Sequence, residues 1–148
     1  MILIINSVTL IKTAVHIEYN FMVQPIGLSN EHISGNTPAV MAGWGQTGVV
    51  PRTFLMQYKN ATIISNADCR RVAKPAIQAV RIFQSALCTN EPDGFGICGG
   101  DSGSSIAVNN VTVGVASWNS ISECGIGVPD VYVRVSVVYD WIVSVIND

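Results

Sequence analysis

The chain has 148 residues, 49% of them apolar and only 12% charged, with eight Lys and Arg set against ten Asp and Glu. Charge at about half the usual ~25% share, with a mean hydropathy of +0.39, excludes a disordered chain and an acidic or basic tail. Arg70, Arg71 and Lys74 form the only basic cluster, too little for a nucleic-acid footprint, and no apolar run nears the ~20 residues of a membrane span, so neither partner is expected.

The length suits one domain, or part of a larger all-β domain of ~200–250 residues. Met1-Ile2-Leu3-Ile4-Ile5 is apolar, but Asn6-Ser7 interrupts it short of the ~7–15 residues of a secretory h-region, and no basic lead-in or cleavage site accompanies it. No signal peptide is read here; Ile2 to Ile11 is expected to be a buried strand. Pro38 to Ala42 reads as a strand running into Gly43-Trp44-Gly45, and Phe54 to Ile64 as another, with Gln57 and Lys59 alternating against Met56 and Tyr58. Asn66 to Lys74 reads as a short helix carrying Cys69. Val111, Val113 and Val115 alternate with Thr112, Gly114 and Ala116, and Val131, Val133 and Val135 with Asp130, Tyr132 and Arg134, the pattern of half-buried strands in an antiparallel sandwich or barrel. A terminal helix is expected to start at Ser136 as N-cap, with Val137, Val138, Trp141, Ile142, Val145 and Ile146 on its docking face.

Four cysteines, at positions 69, 88, 98 and 124, allow three pairings. There is no Cys-x-x-Cys, and His16 and His32 lie far from the cysteines in sequence, so no metal site is expected. The even count favours disulfides and an oxidising compartment. Two Asn-x-Thr acceptors, Asn60-Ala61-Thr62 and Asn110-Val111-Thr112, point the same way.

The chemistry is concentrated in Cys98-Gly99-Gly100-Asp101-Ser102-Gly103-Ser104. A serine in a glycine-rich turn can expose its Oγ while backbone N–H groups converge on one point, as an oxyanion hole requires. A tight turn uses the same residue types, and the heptapeptide alone fits either reading. It is not the α/β-hydrolase elbow, which needs glycine where Ser104 stands.

The surroundings separate the two. Gly100-Asp101-Ser102-Gly103 is followed by Ser117-Trp118, Cys124, Pro129-Asp130-Val131-Tyr132 and a terminal Asp140-Trp141-Ile142. Upstream lie Cys88, Cys69, Gly43-Trp44-Gly45, Val23-Gln24-Pro25-Ile26 and Asn6-Ser7-Val8-Thr9-Leu10. This order resembles the C-terminal portion of the trypsin/chymotrypsin family of serine proteases (peptidase S1), and among its members the chymotrypsin-like digestive enzymes of arthropods. The resemblance implies an all-β fold: a six-stranded antiparallel Greek-key barrel, the C-terminal one of a double barrel, with a last strand of the N-terminal barrel and a C-terminal α-helix. Residues 1–36 would be the end of the first barrel and the inter-barrel connection, 37–135 the C-terminal barrel, and 136–148 the helix.

By the same resemblance Ser102 matches the nucleophile of a serine endopeptidase, and the N–H groups of Gly100 and Ser102 match its oxyanion hole, with Asp101 supporting the oxyanion loop. Cys69 would pair with Cys88, and Cys98 with Cys124. Gly96 and Ile97 fall at the base of the primary specificity pocket, where trypsins carry an aspartate at the position of Gly96. Ser117, Trp118 and Asn119 match the strand that lines the pocket and pairs with substrate, Asn119 standing where glycine is usual. Asp130 also replaces a common glycine, and its carboxylate would reach the pocket floor that Gly96 leaves empty. Peptide or protein substrates, an extracellular location and no metal or organic cofactor are what the family implies.

The departures concern the proton relay. The family's mechanism needs a histidine to take the serine proton and an aspartate to hold that imidazole. The histidine belongs to an Ala-Ala-His-Cys segment that does not occur in this sequence; His16 falls in what resembles the inter-barrel connection, and His32 in a polar loop. Ser7 stands at the aspartate position. In a comparable triad enzyme, loss of the serine or histidine costs ~10⁶ in turnover. The chain is therefore expected to be inactive as it stands, with a secreted, non-catalytic binding or regulatory homologue as the alternative. In the family Asp101 would be paired by an amino terminus freed on activation. Without that partner, the loop from Gly94 to Gly103 is expected to be zymogen-like or disordered. The scarcity of charge fits a barrel whose inter-barrel face is uncovered, from which self-association is expected.

Overall fold

A computed structural model describes residues 8–46, 54–73, 79, 81–91, 96–119 and 125–147. Its elements are β1 (Gly27–Leu28), β2 (Thr37–Gly43), β3 (Gln57–Ile64), α1 (Asn66–Val72), β4 (Ala86–Thr89), β5 (Ser105–Val108), β6 (Val111–Asn119), β7 (Asp130–Arg134) and α2 (Val135–Ile146). Strands β2, β3, β4, β7, β6 and β5 pair in that order, and β5 returns to β2. Every pairing around this ring is antiparallel, which closes a six-stranded barrel. The extra strand lies outside it: β1 adds in parallel to β6, with Gly27 opposite Val111 and Leu28 opposite Thr112.

Closure puts one set of side chains inside. Ala39, Ala61, Ile63, Leu87, Ile106, Val113, Ala116 and Tyr132 fill the interior, with Ile97 from the loop before β5. A second cluster, outside the wall, joins Cys69 and Ala73 to Ile82, Ala86, Cys88 and Val131. The two clusters explain why every residue of β7 is buried, where a strand with one solvated face was expected: Tyr132 faces the barrel and Val131 the cluster under α1. The Cys69–Cys88 disulfide lies in that outer cluster and ties α1 to β4, with a sequence separation of 19. Cys98 is also disulfide-bonded, and Cys124 lies outside the described residues.

Arg134 at the end of β7 is 3% exposed. It donates to the carbonyl oxygens of Gln84 (3.2 Å), Ile33 (3.0 Å) and Ala86 (3.0 Å), and to Asn66 Oδ1 (3.2 Å). A fixed guanidinium fork suits several acceptors at once, and here it joins the segment before β2 to α1 and β4. Burial pulls its pKa below the ordinary arginine value.

Several expectations change. The strand expected over Ile2–Ile11 is absent from its described part: residues 8–11 carry no strand and Ile11 is 87% exposed, because nothing among the described residues covers that side. β3 starts at Gln57, after a bend at residues 54–55, and β2 extends one residue beyond the expected strand at each end. α1 ends at Val72; Ser65 is its N-cap, accepting from the Asp68 N–H. α2 begins at Val135 with Arg134 as N-cap and no side-chain capping bond, because β7 runs directly into the helix and Ser136 is already inside it. Its docking face differs too. Val135 and Ile142 are buried, whereas Val137, Trp141, Val145 and Ile146 remain exposed.

Arg134→Ala leaves its buried acceptors without a donor, and unmet groups of this kind cost ~1–3 kcal/mol each. A loss of about 3 kcal/mol or more in urea unfolding is expected. Arg134→Lys, which retains part of the bonding, should lose less.

Candidate active site

Residues 98–104, before β5, fold as consecutive tight turns. Asp101 N–H donates to Cys98 O (3.0 Å) and Ser104 N–H to Asp101 O (2.9 Å). Gly100 and Gly103 take φ values of +101° and +87°, which non-glycine residues rarely adopt. Gly103 N–H donates to Ala116 O and Ala116 N–H to Ser104 O, both at 2.8 Å, and these bonds stitch the loop to β6. Ser102 is left exposed at the apex.

Asp101 turns the opposite way. Its Oδ1 accepts from Gly45 N–H (2.7 Å) and its Oδ2 from Cys98 N–H (3.0 Å). Gly43 and Gly45 make room for it: a Cβ at either position would lie 2.1 Å or 2.3 Å from a carboxylate oxygen. Gln46 N–H adds a bond to Gly99 O (3.0 Å). The loop expected to lack support thus has an anchored carboxylate across residues 96–103; Gly94 and Phe95 lie outside the described residues. The N–H groups of Asp101, Gly103 and Ser104 are all engaged, whereas those of Gly100 and Ser102 donate to no described residue.

A second group of predicted residues meets around the Ile97 backbone. Its N–H donates to Asp130 Oδ2 (2.9 Å), and its carbonyl accepts from Asn119 Nδ2 (3.3 Å). Asp130 and Asn119 are register partners on β7 and β6, so adjacent strands present both groups to the backbone of one residue. Gly96 lies against the same carboxylate: a Cβ there would sit 2.9 Å from Asp130 Oδ2. An acidic side chain at position 96 and one at 130 would compete for the same space. Ser117 and Trp118 are half-buried near the end of β6.

Sequence reasoning missed what surrounds Asp130. Thr89, its register partner on β4, is fully buried, and so is Tyr132. Neither hydroxyl completes a well-formed hydrogen bond among the described residues, though Thr89 approaches the phenol closely enough to offset part of the rise in its pKa. Glu91, 8% exposed, accepts from Thr62 N–H (3.1 Å) and lies 3.8 Å from Lys59 Nζ. Nothing in the linear pattern marks Glu91, since its burial depends on β3 lying beside the end of β4. Burial raises the Asp130 pKa to about 7, against the lowering effect of the Ile97 N–H, and the charges of Glu91 and Asp101 raise it further. Burial also pushes the Tyr132 phenol up, reinforced by Asp130.

Ser7 lies outside the described residues. His16 and His32 are exposed, and neither hydrogen-bonds Ser102.

This loop geometry on a closed barrel coincides with a match to the Trypsin family over residues 5–142. The chain belongs to the trypsin family of serine proteases. Among its relatives, Collagenase of Hypoderma lineatum is 35% identical over 93% of this chain and 53% of its own length. Chymotrypsin-2 of Vespa crabro is 31% identical over 94% and 61%. The solved structure of HL collagenase superposes with a TM-score of 0.76 at 32% identity, covering 90% of this chain and 58% of that one. Mouse neuropsin gives the same TM-score at 22% identity, a likeness of fold. The chain thus spans a little over half the length of these trypsin-family relatives.

The buried acid of this trypsin-family barrel carries a pH dependence. An unfolded aspartate titrates near ~4, and Asp130 in the folded protein at about 7. Between these values the folded state binds more protons than the unfolded state. Stability fully present below pH ~4 is therefore lost as pH rises through about 7, by at most ~1.4 kcal/mol per pH unit. Asp130→Asn keeps an oxygen for the Ile97 N–H and removes the titration. Urea midpoints across this range should be flatter in that variant, and higher than wild type at pH 8.

Proposed function

We propose that this chain carries the nucleophile, oxyanion and primary-specificity half of a serine endopeptidase site, and turns over peptides negligibly on its own. The observation that supports the reading is the division of labour in one loop: Ser102 is exposed, the Gly100 and Ser102 N–H groups donate to no described residue, and the neighbouring amides are engaged. In such a site Ser102 Oγ attacks the scissile carbonyl and the two N–H groups receive the developing oxyanion. The amine leaves with a proton, and water then hydrolyses the acyl-enzyme. The P1 side chain would enter over Gly96 toward Ile97 and Asp130, flanked by Ser117, Trp118 and Asn119. Such a floor, an acid behind a glycine, suits apolar and basic side chains together and not the basic ones alone.

The missing function is proton removal. Neither histidine of the chain bonds Ser102, and a triad without its base loses ~10⁶ in turnover. An extracellular setting follows from the disulfides together with the secreted, digestive character of the family. Partners in this reading are peptide or protein substrates, with a second copy of the chain on the uncovered apolar surface. Ile11, Val15, Phe21 and Met22 are each more than three-quarters exposed, and surfaces of that kind associate.

A fluorophosphonate reagent tests the catalytic half. Slow, substoichiometric labelling that disappears in Ser102→Ala is expected. Rapid stoichiometric labelling or efficient peptide hydrolysis would overturn the inactivity, and labelling retained in Ser102→Ala would overturn the nucleophile. Sedimentation velocity tests the surface: a concentration-dependent shift to dimer or higher species is expected, and a monodisperse monomer at high concentration would refute it.

A further inference from the structure

The two acceptor tripeptides play no part in the peptidase reading, and the fold gives one of them a distinct setting. β5 and β6 form a hairpin whose last rung is Val108 opposite Val111. Only Asn109 and Asn110 lie between, with φ of +49° and +59°. Two successive residues at positive φ make the type I′ turn that matches strand twist, and asparagine is among the few side chains that accept it. Both residues are exposed.

The rest of the tripeptide points the other way. Thr112 is 5% exposed, and its hydroxyl is bonded to Ser105 Oγ at 3.0 Å. Its carbonyl accepts from Ser29 N–H at 3.0 Å, beside the β1 pairing. The asparagine is therefore displayed at a tip where a large substituent meets no packed neighbour, while the threonine that completes the acceptor is locked between two strands.

We infer that Asn110 is an N-glycosylation site, modified before the β5–β6 hairpin closes. The Asn110 amide nitrogen displaces pyrophosphate from C1 of a lipid-pyrophosphate-linked oligosaccharide. An N–C1 bond forms, the C1–O bond breaks, the amide loses one proton, and the lipid pyrophosphate leaves; nothing is oxidised or reduced. The donor belongs to the secretory lumen, the same oxidising compartment in which the Cys69–Cys88 bridge forms. Once attached, the sugar leaves the core unchanged, since Asn110 contributes only its backbone to the turn. The inference is independent of peptidase activity.

The test is synthesis of the full chain behind a heterologous signal peptide in the presence of microsomes. Protease-protected chains are then treated with peptide-N-glycosidase in ¹⁸O water and mapped. Expected is a labelled aspartate at position 110, with or without a second at position 60, and loss of the 110 label in Asn110→Asp. That substitution keeps a residue suited to positive φ and removes the acceptor nitrogen, so the hairpin is preserved. Protected chains that are unmodified, or modified at Asn60 alone, would overturn the inference. A solubilised oligosaccharyltransferase with its lipid-linked donor tests the order of events. The reduced, unfolded chain should accept sugar at Asn110 and the folded chain should not; equal modification of both would refute modification before closure.

Discussion

The Asp101 carboxylate is the junction between this barrel and its serine loop. It accepts from Gly45 on one side and Cys98 on the other, and the contact exists only because positions 43 and 45 have no side chain to obstruct it. The end of β2 and the serine loop are thereby held at a fixed separation. With the carboxylate turned inward, the chain on either side must turn outward, and Ser102 stands at the apex. Because two backbone amides hold the carboxylate, the loop between residues 96 and 103 keeps its turns with no charged partner on Asp101 among the described side chains. In the proposed peptidase reading, that arrangement would keep the shape of an oxyanion site apart from proton removal, which a different part of a triad enzyme supplies.

β7 carries the other half of the constraint. Within five residues it contributes Asp130 to the Ile97 peptide, Tyr132 to the barrel interior, Val131 to the outer cluster and Arg134 to the segment before β2. A strand buried on both faces has nowhere to place a polar side chain without a partner. Arg134 meets that requirement with four acceptors, and Asp130 meets it with a single N–H donor. The deficit at Asp130 raises its pKa. The same desolvation that lowers stability as pH rises toward neutrality keeps a poorly solvated acid behind Gly96.

How much of this was legible in the sequence depends on the range of the forces involved. The β6 strand, the serine turn and the short Cys69 helix follow from local pattern and were readable. But β6 does not bury its valine face alone: Thr112, Gly114 and Ala116 are buried with Val113, while Val111 and Val115 are half-buried. The docking face of α2 was not. Val135, Val137, Val138, Trp141, Ile142, Val143, Val145 and Ile146 crowd its twelve positions, so periodicity offers overlapping stripes, and packing against the barrel selects the one through Val135 and Ile142. Nor could pattern reveal that β7 is buried on its outer side, because the cover comes from Cys69, Ala73 and Ile82, far earlier in the chain. Asp130 was suspected through resemblance, but Thr89 and Glu91 enter its surroundings only through the β3–β4–β7 pairing. Ser7 and Cys124 lie where the structure offers no description.

The scarcity of charge acquires a sharper meaning from these positions. Of eighteen charged residues, Glu91, Asp130 and Arg134 are buried, so the surface is poorer in charge than the composition suggests. What it presents instead is apolar: the connection from Ile11 to Ile26, and the α2 stripe of Val137, Trp141 and Val145. A domain satisfied by its own core would place charge at such positions, since exposed apolar stripes at helical and extended spacing have no folding role of their own. Their persistence beside a closed, well-filled barrel separates two physical demands within the chain. The interior cluster and the serine loop are held by contacts among the described residues, whereas the segment from Ile11 to Ile26 and the outer face of α2 carry apolar side chains that no described residue covers.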